Sequence, residues 1–162
     1  MKYYCFYSSP IGEIRLEGDQ NALSGLFFTG PKQVPLEAAA YNENLPVFVK
    51  TRKWLDVYFS GQNPSFTPPI LLRGSSFQMS VWDRLLQIPY GHTVTYGQIA
   101  RELARERGAQ PVAAQAVGGA VGKNPISLIV PCHRVVGANG KLTGYAGGLD
   151  KKMYLLHLEK SV

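Results

Sequence analysis

The start of the chain alternates apolar and polar residues in short runs. Residues 2–8 are rich in aromatic side chains, residues 13–18 alternate apolar with charged positions, and residues 22–29 are again largely apolar. Alternation with a period of two is typical of strands that have one buried face. The pattern therefore predicts an antiparallel meander of three strands, with Cys5 packed inside it.

The pattern changes to helical spacing after an irregular stretch at residues 30–44. Apolar residues from Val47 to Tyr58 recur every three or four positions behind Pro46, and proline suits the first turn of a helix. The following stretch, residues 62–69, has the composition of a linker. We place a domain boundary there, between an N-terminal domain of residues 1–68, an antiparallel sheet plus a helix, and a C-terminal domain of residues 69–162.

The second domain is predicted to be mostly helical. Ser75 with Gln78 and Thr95 with Gln98 have the spacing of capping boxes, and an apolar stripe follows each. The predicted helices lie between Ser75 and Pro89, at residues 96–107, at residues 112–121 after Pro111, and from a cap at Asp150 to Glu159. The second and third of them, joined by a short turn with glycine, fit a helix-turn-helix.

A hairpin completes the predicted architecture. Asn139-Gly140 is a strong hairpin turn signal between Val135-Val136 and Leu142-Thr143. The fold class is α+β: a small N-terminal antiparallel sheet domain with a helix, joined to a mostly helical, winged helix-turn-helix C-terminal domain.

Composition is typical of a globular protein, with 45% hydrophobic and 17% charged residues among 162. No apolar run is long enough to span a membrane, and no secretory signal is visible, so the expected location is the cytoplasm. The two cysteines do not form a disulfide framework, and cysteine and histidine lack metal-ligand spacing, so neither a metal nor another cofactor is expected.

The positive charge lies in one half of the chain. Residues 1–68 hold six basic and six acidic side chains, whereas residues 69–162 hold eleven and five, which is the whole net charge of +6. Such asymmetry favours a polyanionic partner such as nucleic acid, and the alternative is a solvated basic surface.

The helix at residues 112–121 carries almost no side-chain bulk. Its small residues are Ala113, Ala114, Ala116, Gly118, Gly119 and Ala120. Each interior glycine costs about 1 kcal/mol of helix stability relative to alanine, so this composition indicates close approach to another backbone. That backbone belongs either to a second helix or to nucleic acid.

The candidate reactive group is Cys132, which follows Pro131 inside an apolar run. A cysteine is nucleophilic as a thiolate, and a neighbouring cationic or hydrogen-bonding group lowers its pKa. His133 and Arg134 follow the sulfur directly. The alternative reading is a buried structural cysteine, which is common in apolar segments.

Several motifs together resemble the O6-alkylguanine-DNA alkyltransferase family, also called methylated-DNA–protein-cysteine methyltransferases. They occur in the family's order at residues 95–100, 116–120, 124–125, 131–135 and 143–149. The resemblance implies DNA repair by direct damage reversal: Cys132 takes the alkyl group of O6-alkylguanine, and of O4-alkylthymine, irreversibly and once per molecule. It implies double-stranded DNA bound through the minor groove by a monomer, with the damaged base flipped out, and no cofactor or membrane.

The resemblance also implies roles for individual residues. His133 acts as a base through a water, Glu159 orients His133, Tyr96 donates to the leaving guanine, and Asn124 holds the loop around the cysteine. The substrate pocket takes the carbonyls of Cys132 and Val135, the amide of Ala146, and walls from Tyr145, Gly147 and Gly148. The DNA-binding set is Thr95, Ala113, Ala114, Gln115, Gly118, Gly119, Lys123 and Arg134. The alternatives are a core histidine for His133 and a solvated helix-end charge for Glu159.

Two positions depart from the family pattern. Gln115 stands where the family usually has an arginine that fills the place of the flipped base. A family member carries structural zinc in its N-terminal domain, but Asp19 and Ser24 occupy the matching stretch here, so we expect no zinc.

Three other functions are considered. A non-enzymatic alkyltransferase-like protein would lack the nucleophile that Cys132 provides. A cysteine hydrolase would turn over. A plain winged-helix DNA binder would use Cys132 only as core.

Overall fold

The computed structural model describes residues 1–30 and 39–160 and divides the chain into two compact units, Met1–Leu72 and Arg73–Val162. The division lies four residues beyond the boundary expected from the linker composition. Backbone hydrogen bonds explain the difference, because Leu23 N donates to Pro69 O and Leu71 N donates to Leu23 O. The end of the proline-rich stretch is thereby attached to the first unit.

The first unit is a four-stranded sheet in the order β3-β2-β1-β4. Its strands are β1 (Lys2–Ser9), β2 (Gly12–Gly18), β3 (Leu23–Phe28) and β4 (Ala39–Tyr41). The predicted three-strand antiparallel meander is confirmed. The short β4 was predicted as irregular, and it pairs parallel to β1, which three residues of backbone pairing can achieve without a hydrophobic pattern.

Helix α1 (Pro46–Phe59) covers one face of this sheet. Pro46 occupies its first turn as predicted, and its buried face includes Phe48, Trp54 and Tyr58. Cys5 is fully buried in this core.

In the second unit, α2 (Ser76–Leu86) and α3 (Tyr96–Glu106) begin as predicted. The side chains of Ser75 and Thr95 each accept the backbone N–H three residues on, and the glutamine there bonds back to the cap, so both capping boxes are formed. These bonds satisfy donors that a helix start otherwise leaves open.

Helix α4 (Ala114–Gly122) begins two residues later than predicted, with Ala113 as an N-cap that offers no side-chain acceptor. Helices α3 and α4 pack together as the expected helix-turn-helix. The buried face of α4 consists of Val117, Ala120 and Val121, and Trp82 of α2 donates to the carbonyl of Ala120 at 2.9 Å.

The predicted hairpin is wrong in its pairing. Strand β6 (Val135–Val136) pairs in parallel with β5 (Val94–Thr95), not with Leu142-Thr143. The turn chemistry itself is present, because Asn139 and Gly140 both adopt positive φ and Gly137 N donates to Lys141 O at 2.7 Å. The Asn-Gly signal therefore predicts the turn correctly, but it does not determine which segment pairs with β6.

Helix α5 (Leu149–Leu158) follows, and its N-cap is Gly148 with φ 101°, not the expected Asp150, which lies in the first turn. An acidic residue there still interacts favourably with the helix dipole. None of the helices in the described ranges is long and apolar enough to cross a membrane.

Candidate active site

The segment that carries Cys132 is buried throughout residues 126–136. Cys132 begins a short 3-10 turn with His133 and Arg134 behind Pro131. Upstream, Leu128 holds a left-handed conformation at φ 71°, although its side chain is buried. Branched residues seldom adopt this conformation, and such strain is concentrated at functional sites.

Cys132 lies on the wall of a cavity of about 410 Å³ in the second unit. The cavity is lined by Tyr96, Gly118, Val121, Gly122, Asn124, Ser127, Cys132, Thr143, Gly144, Tyr145 and Ala146. The sulfur is thus inside the protein, since Cys132 is 6% exposed, yet it faces space that a ligand can enter. A purely structural cysteine has no need of such access.

Burial raises the pKa of the Cys132 thiol, and several neighbours act against it. Hydrogen bonds from the side chains of Asn124 and Ser127 and the charge of Lys152 lower the pKa. Asn124 is itself fixed, because its Nδ2 donates to Val130 O at 2.8 Å and its Oδ1 accepts from Ile126 N at 3.1 Å. This agrees with the predicted loop-holding position of Asn124.

His133 is fully buried and lies 2.6 Å, Nε2 to Oε2, from Glu159. Burial lowers the pKa of His133 below its usual value, although Glu159 acts in the opposite direction. The imidazole is therefore neutral at pH 7 and can accept a proton. The structure brings together the predicted base and its orienting carboxylate, and Cys132 directly precedes that base in the chain.

Glu159 is 2% exposed, so the alternative of a solvated helix-end charge is wrong. Burial alone would raise the pKa of Glu159, but hydrogen bonds and charge from His133 and Arg134 lower the pKa to about 2. Glu159 is ionised at any pH at which the protein would act. An ionised carboxylate can only accept hydrogen bonds, so it holds the N–H of His133.

The assignment of Arg134 to DNA contacts is corrected by the structure. Its guanidinium is buried, and Arg134 as a whole is 8% exposed. Nε and Nη2 donate to the two oxygens of Glu159, at 2.8 and 3.1 Å, and Nη1 donates to Ile88 O at 2.8 Å. All three guanidinium nitrogens are therefore used inside the protein.

Lys152 is a site residue that the sequence reading missed. It is 0% exposed, and its Nζ donates to Val135 O at 2.6 Å, Thr143 O at 3.1 Å and Gly144 O at 3.4 Å. Helical spacing could have found it, because Lys152 precedes the buried Leu155, Leu156 and Glu159 by three, four and seven positions.

Tyr96 is the first residue of α3 and lines the cavity. Thr143 Oγ1 donates to the hydroxyl of Tyr96 at 3.2 Å. A hydroxyl that accepts one hydrogen bond keeps its own proton for another acceptor. This arrangement is compatible with the predicted donor role of Tyr96.

The structure brings part of the predicted substrate pocket together. Tyr145 and Ala146 line the cavity, whereas Val135, Gly147 and Gly148 are not among its lining residues. The carbonyl of Val135 accepts from Lys152, so the base-reading role expected of it has a competing partner. Gly148 is occupied as the N-cap of α5.

Most of the predicted DNA-binding residues lie at or near the outer side of α4. Ala113, Ala114, Gln115, Gly119 and Lys123 are exposed, while Gly118 and Thr95 are half-buried. A β-carbon added at Gly119 or Gly122 would meet no atom of the described residues within 4 Å, and one at Gly118 would lie 3.8 Å from the Tyr96 ring. Within the described part of the chain, Gly119 and Gly122 therefore do not serve helix packing, whereas Gly118 lies against α3.

The fold and the site define a class: a helix-turn-helix protein with a cysteine on a cavity wall, followed in the chain by a histidine that is paired with a buried carboxylate. Family models match both units. Residues 76–161 match the 6-O-methylguanine DNA methyltransferase DNA-binding domain, and residues 2–72 match the ribonuclease-like domain of the same family. The chain belongs to the 6-O-methylguanine DNA methyltransferase family.

Curated relatives agree along the whole chain. The methylated-DNA–protein-cysteine methyltransferase of Methanosarcina acetivorans is 47% identical over 160 residues, which is 98% of this chain and 99% of that protein. The relative of the same name from Mycolicibacterium paratuberculosis is 46% identical over 97% of this chain and 92% of its own. The protein repairs DNA by transferring an alkyl group to a cysteine.

Solved structures give the same result. The Mycobacterium tuberculosis OGT in complex with DNA has a TM-score of 0.84 and 45% identity, covering 98% of this chain and 93% of that chain. An O6-methylguanine DNA methyltransferase from Methanococcus jannaschii has a TM-score of 0.67 and 27% identity, covering 96% and 93%. DNA is thus the partner of this protein.

Proposed function

We propose that the sulfur of Cys132 is the alkyl acceptor and that O6-alkylguanine, with O4-alkylthymine, is the substrate. The observation that carries the proposal is the placement of this thiol on the wall of the cavity of about 410 Å³. Asn124, Ser127 and Lys152 favour its thiolate form, and the neutral imidazole of His133 adjoins it in sequence. Cys5, the other cysteine, packs in the core of the first unit.

The proposed reaction is a single displacement. His133, acting through a water, removes the thiol proton, and the sulfur attacks the alkyl carbon. A carbon–sulfur bond forms as the carbon–oxygen bond breaks, and the electron pair of that bond remains on the guanine. Tyr96 donates a proton or hydrogen bond to the leaving base, and the thiol proton finally replaces it. The thioether product does not hydrolyse, so each molecule reacts once.

Access to the sulfur requires the damaged nucleotide to leave the helix. Cys132 lies in a protein cavity, and a stacked base cannot enter one. The small, exposed face of α4 supports insertion into the minor groove, where Gln115 would take the place of the flipped base. Lys123, at the end of α4, is exposed and available to phosphate.

We further propose that the protein acts as a monomer in the cytoplasm. The two cysteines are free thiols in the structure, which suits a reducing compartment. Sedimentation of the protein with and without a short duplex tests the monomer, and a stable dimer without DNA would contradict it.

Intact mass spectrometry tests the reaction. The protein is incubated with an oligonucleotide that carries one O6-methylguanine, at protein-to-lesion ratios below and above one. We expect a gain of one methylene on the Cys132 peptide and repair that stops at one lesion per molecule. Repair of many lesions per molecule would contradict the single-use reaction and favour a hydrolase.

Salt dependence tests the mode of DNA binding. Contacts with phosphates release counterions, so affinity should fall steeply as salt rises, with slight preference for sequence. Lys123→Gln should reduce the slope of log affinity against log salt concentration by about one, which corresponds to one lost phosphate contact. Affinity that does not change with salt, or that depends on one operator sequence, would instead support a regulatory DNA binder.

A further inference from the structure

The carboxylate of Glu159 accepts four hydrogen bonds, two on each oxygen. Oε1 accepts from Arg134 Nε at 2.8 Å and from Gly91 N at 3.2 Å. Oε2 accepts from His133 Nε2 at 2.6 Å and from Arg134 Nη2 at 3.1 Å. A carboxylate offers about four lone-pair positions, so this one is saturated and its plane is fixed.

Arg134 supplies two of these four bonds and is anchored at its far side. Nη1 donates to Ile88 O at 2.8 Å, just beyond α2, and the guanidinium carbon lies 5.7 Å from the ring centre of Tyr90. A bidentate guanidinium fixes both the position and the rotation of a carboxylate, which a lysine cannot do. The arginine next to His133 in sequence is thus tied to the acceptor of His133.

The orientation of Glu159 determines the tautomer of His133. A saturated carboxylate has no proton to give, so Nε2 of His133 must carry the proton of their 2.6 Å hydrogen bond. In a neutral imidazole the lone pair is then on Nδ1. A histidine with the reversed tautomer would present an N–H where the reaction needs a base.

We propose that Arg134 is a positioning residue for alkyl transfer: its bidentate hold on Glu159 keeps the proton of His133 on Nε2 and the basic lone pair on Nδ1. This inference rests on the proposed function, in which His133 serves as the base. It replaces the DNA contact expected from the sequence. Arg134 acts through Glu159 and touches neither DNA nor the alkyl group.

The first experiment measures single-turnover transfer from the free base O6-methylguanine, which removes DNA binding from the measurement. Arg134→Gln and Arg134→Lys are compared with the parent and with Arg84→Gln, which removes an arginine of α2 that pairs with Glu102 and Glu106. In metalloenzymes, removing the group that orients a ligating histidine lowers activity about 10–100-fold. We expect a decrease of the same order in the transfer rate of Arg134→Gln, because Arg134 orients His133 through Glu159. We expect a smaller loss for Arg134→Lys and no change for Arg84→Gln.

A pH profile separates positioning from a merely structural role. The positive charge of Arg134 acts to lower the pKa of His133, so without the guanidinium that pKa should rise and the acid limb of the rate profile should move to higher pH. Imidazole ¹⁵N spectra report the tautomer directly, and the chain has only three histidines, so His133→Asn assigns the signal. We expect the Nε2–H tautomer in the parent and a mixed population in Arg134→Gln.

A double-mutant cycle with Glu159→Gln completes the test, and the double variant avoids leaving a buried charge without its partner. Arg134→Gln should have no further effect on transfer in the Glu159→Gln background. Equal losses in both backgrounds, an unshifted pH profile with an unchanged tautomer, or a loss confined to DNA affinity would each overturn the inference. A parent protein that leaves Cys132 unalkylated would contradict the proposed function instead, and the tautomer spectra would still test Arg134.

Discussion

Each unit of this protein contains a buried cysteine and a largely buried arginine–glutamate pair, yet among the described residues only the second set lies at a cavity with a histidine held by the carboxylate. In the first unit these are Cys5 and the Arg15–Glu17 pair, with Nε and Oε1 at 3.3 Å. In the second they are Cys132 and the Arg134–Glu159 pair, with the same two atom types at 2.8 Å. Residue types alone therefore do not distinguish the reactive centre.

Backbone geometry makes the difference. Cys5 pairs across the sheet with Leu16, whereas Arg15 pairs with Phe6, so strand alternation places the thiol and the ion pair on opposite faces. In the second unit, the 3-10 turn presents Cys132, His133 and Arg134 in succession, and one face of α5 brings Lys152 and Glu159 to them. The comparison teaches that proximity of functional groups, not their burial, builds the site.

The electrostatic consequence is opposite in the two pairs. Burial raises the pKa of Glu17 despite Arg15, whose guanidinium also lies 4.4 Å from the ring centre of Tyr4. For Glu159, the hydrogen bonds from His133 and Arg134 outweigh burial and lower the pKa to about 2. Only the second carboxylate is held as a permanent acceptor.

Removing each cysteine in turn is the strongest test of this comparison. Cys132→Ser should abolish alkyl transfer, because serine is not ionised at neutral pH, while DNA affinity should be retained. Cys5→Ser is the matched control and should leave transfer intact. Mass spectrometry after incubation with methylated oligonucleotide measures both, and alkylation of the Cys132→Ser protein would remove the distinction.

Replacing each carboxylate is expected to give the next largest difference. Glu159→Gln should slow transfer by about 10²–10⁴-fold, since general-base catalysis contributes about that much and depends here on an oriented His133. Glu17→Gln should leave the rate unchanged. Single-turnover kinetics on the free base measures both variants, and equal rates would show that Glu159 is only structural.

Acid should destabilise the two units differently. The pKa of Glu159 is about 4.5 in the unfolded chain and about 2 in the folded protein. Its contribution to stability is therefore present above pH 4.5 and is lost as the pH falls towards 2. The shift corresponds to about 3 kcal/mol. The pKa of Glu17 is raised, so its contribution has the opposite sign and acidification does not remove stability through it.

Fluorescence can follow each unit separately. The chain has two tryptophans, Trp54 on α1 and Trp82 on α2. In Trp54→Phe, urea unfolding reported by Trp82 should lose stability between pH 4.5 and 2, and Glu159→Gln should flatten that loss. In Trp82→Phe, the first unit should show no such contribution from Glu17. An equal pH dependence of unfolding in the two variants would contradict the assignment of the acid-sensitive stability to Glu159.

Two neighbouring lysines on α5 allow a smaller and more local comparison. Lys152→Met should slow transfer, because the buried ammonium lowers the pKa of the Cys132 thiol and its loss reduces the fraction of reactive thiolate. It would also release the carbonyls of Thr143 and Gly144 at the cavity. Lys151→Met is the control and should not change the rate; equal rates for both variants would exclude a role for Lys152.

The contrast between Cys132 and Lys152 shows how far the sequence leads. Periodicity and capping residues predicted the meander, α1, α2 and α3, because these signals are local. The resemblance predicted Cys132, His133 and Glu159 as site residues, and the pairing of His133 with Glu159 is seen in the structure. Lys152 was missed because adjacent lysines are usually solvated.

Other features depend on distant parts of the chain. Arg134 was predicted to contact DNA, but its side chain binds Glu159. The sequence does not show this pairing, because Glu159 lies 25 residues away and only the fold brings the two together. The short strand β4 and the parallel pairing of β5 with β6 likewise arise from long-range contacts, which no local pattern records.

The smallest expected effect concerns Gln115, which is exposed near the start of α4. An arginine there would fill the hole left by the flipped nucleotide and bring charge to the orphaned base. Unstacking costs a few kcal/mol per step, so a side chain that offsets part of it shifts the flipping equilibrium. Glutamine is shorter and neutral and lacks the planar fork, so it should support extrusion weakly.

Gln115→Arg should therefore speed repair of duplex DNA by a few fold, on the order of 1 kcal/mol, and leave reaction with the free alkylguanine base unchanged. The site chemistry lies elsewhere, since Gln115 does not line the cavity beside Cys132. Gln115→Lys is the control for charge alone, and it should give less than the arginine because it cannot form the bidentate contact. Equal duplex rates for all three proteins would mean that another residue fills the gap in the helix.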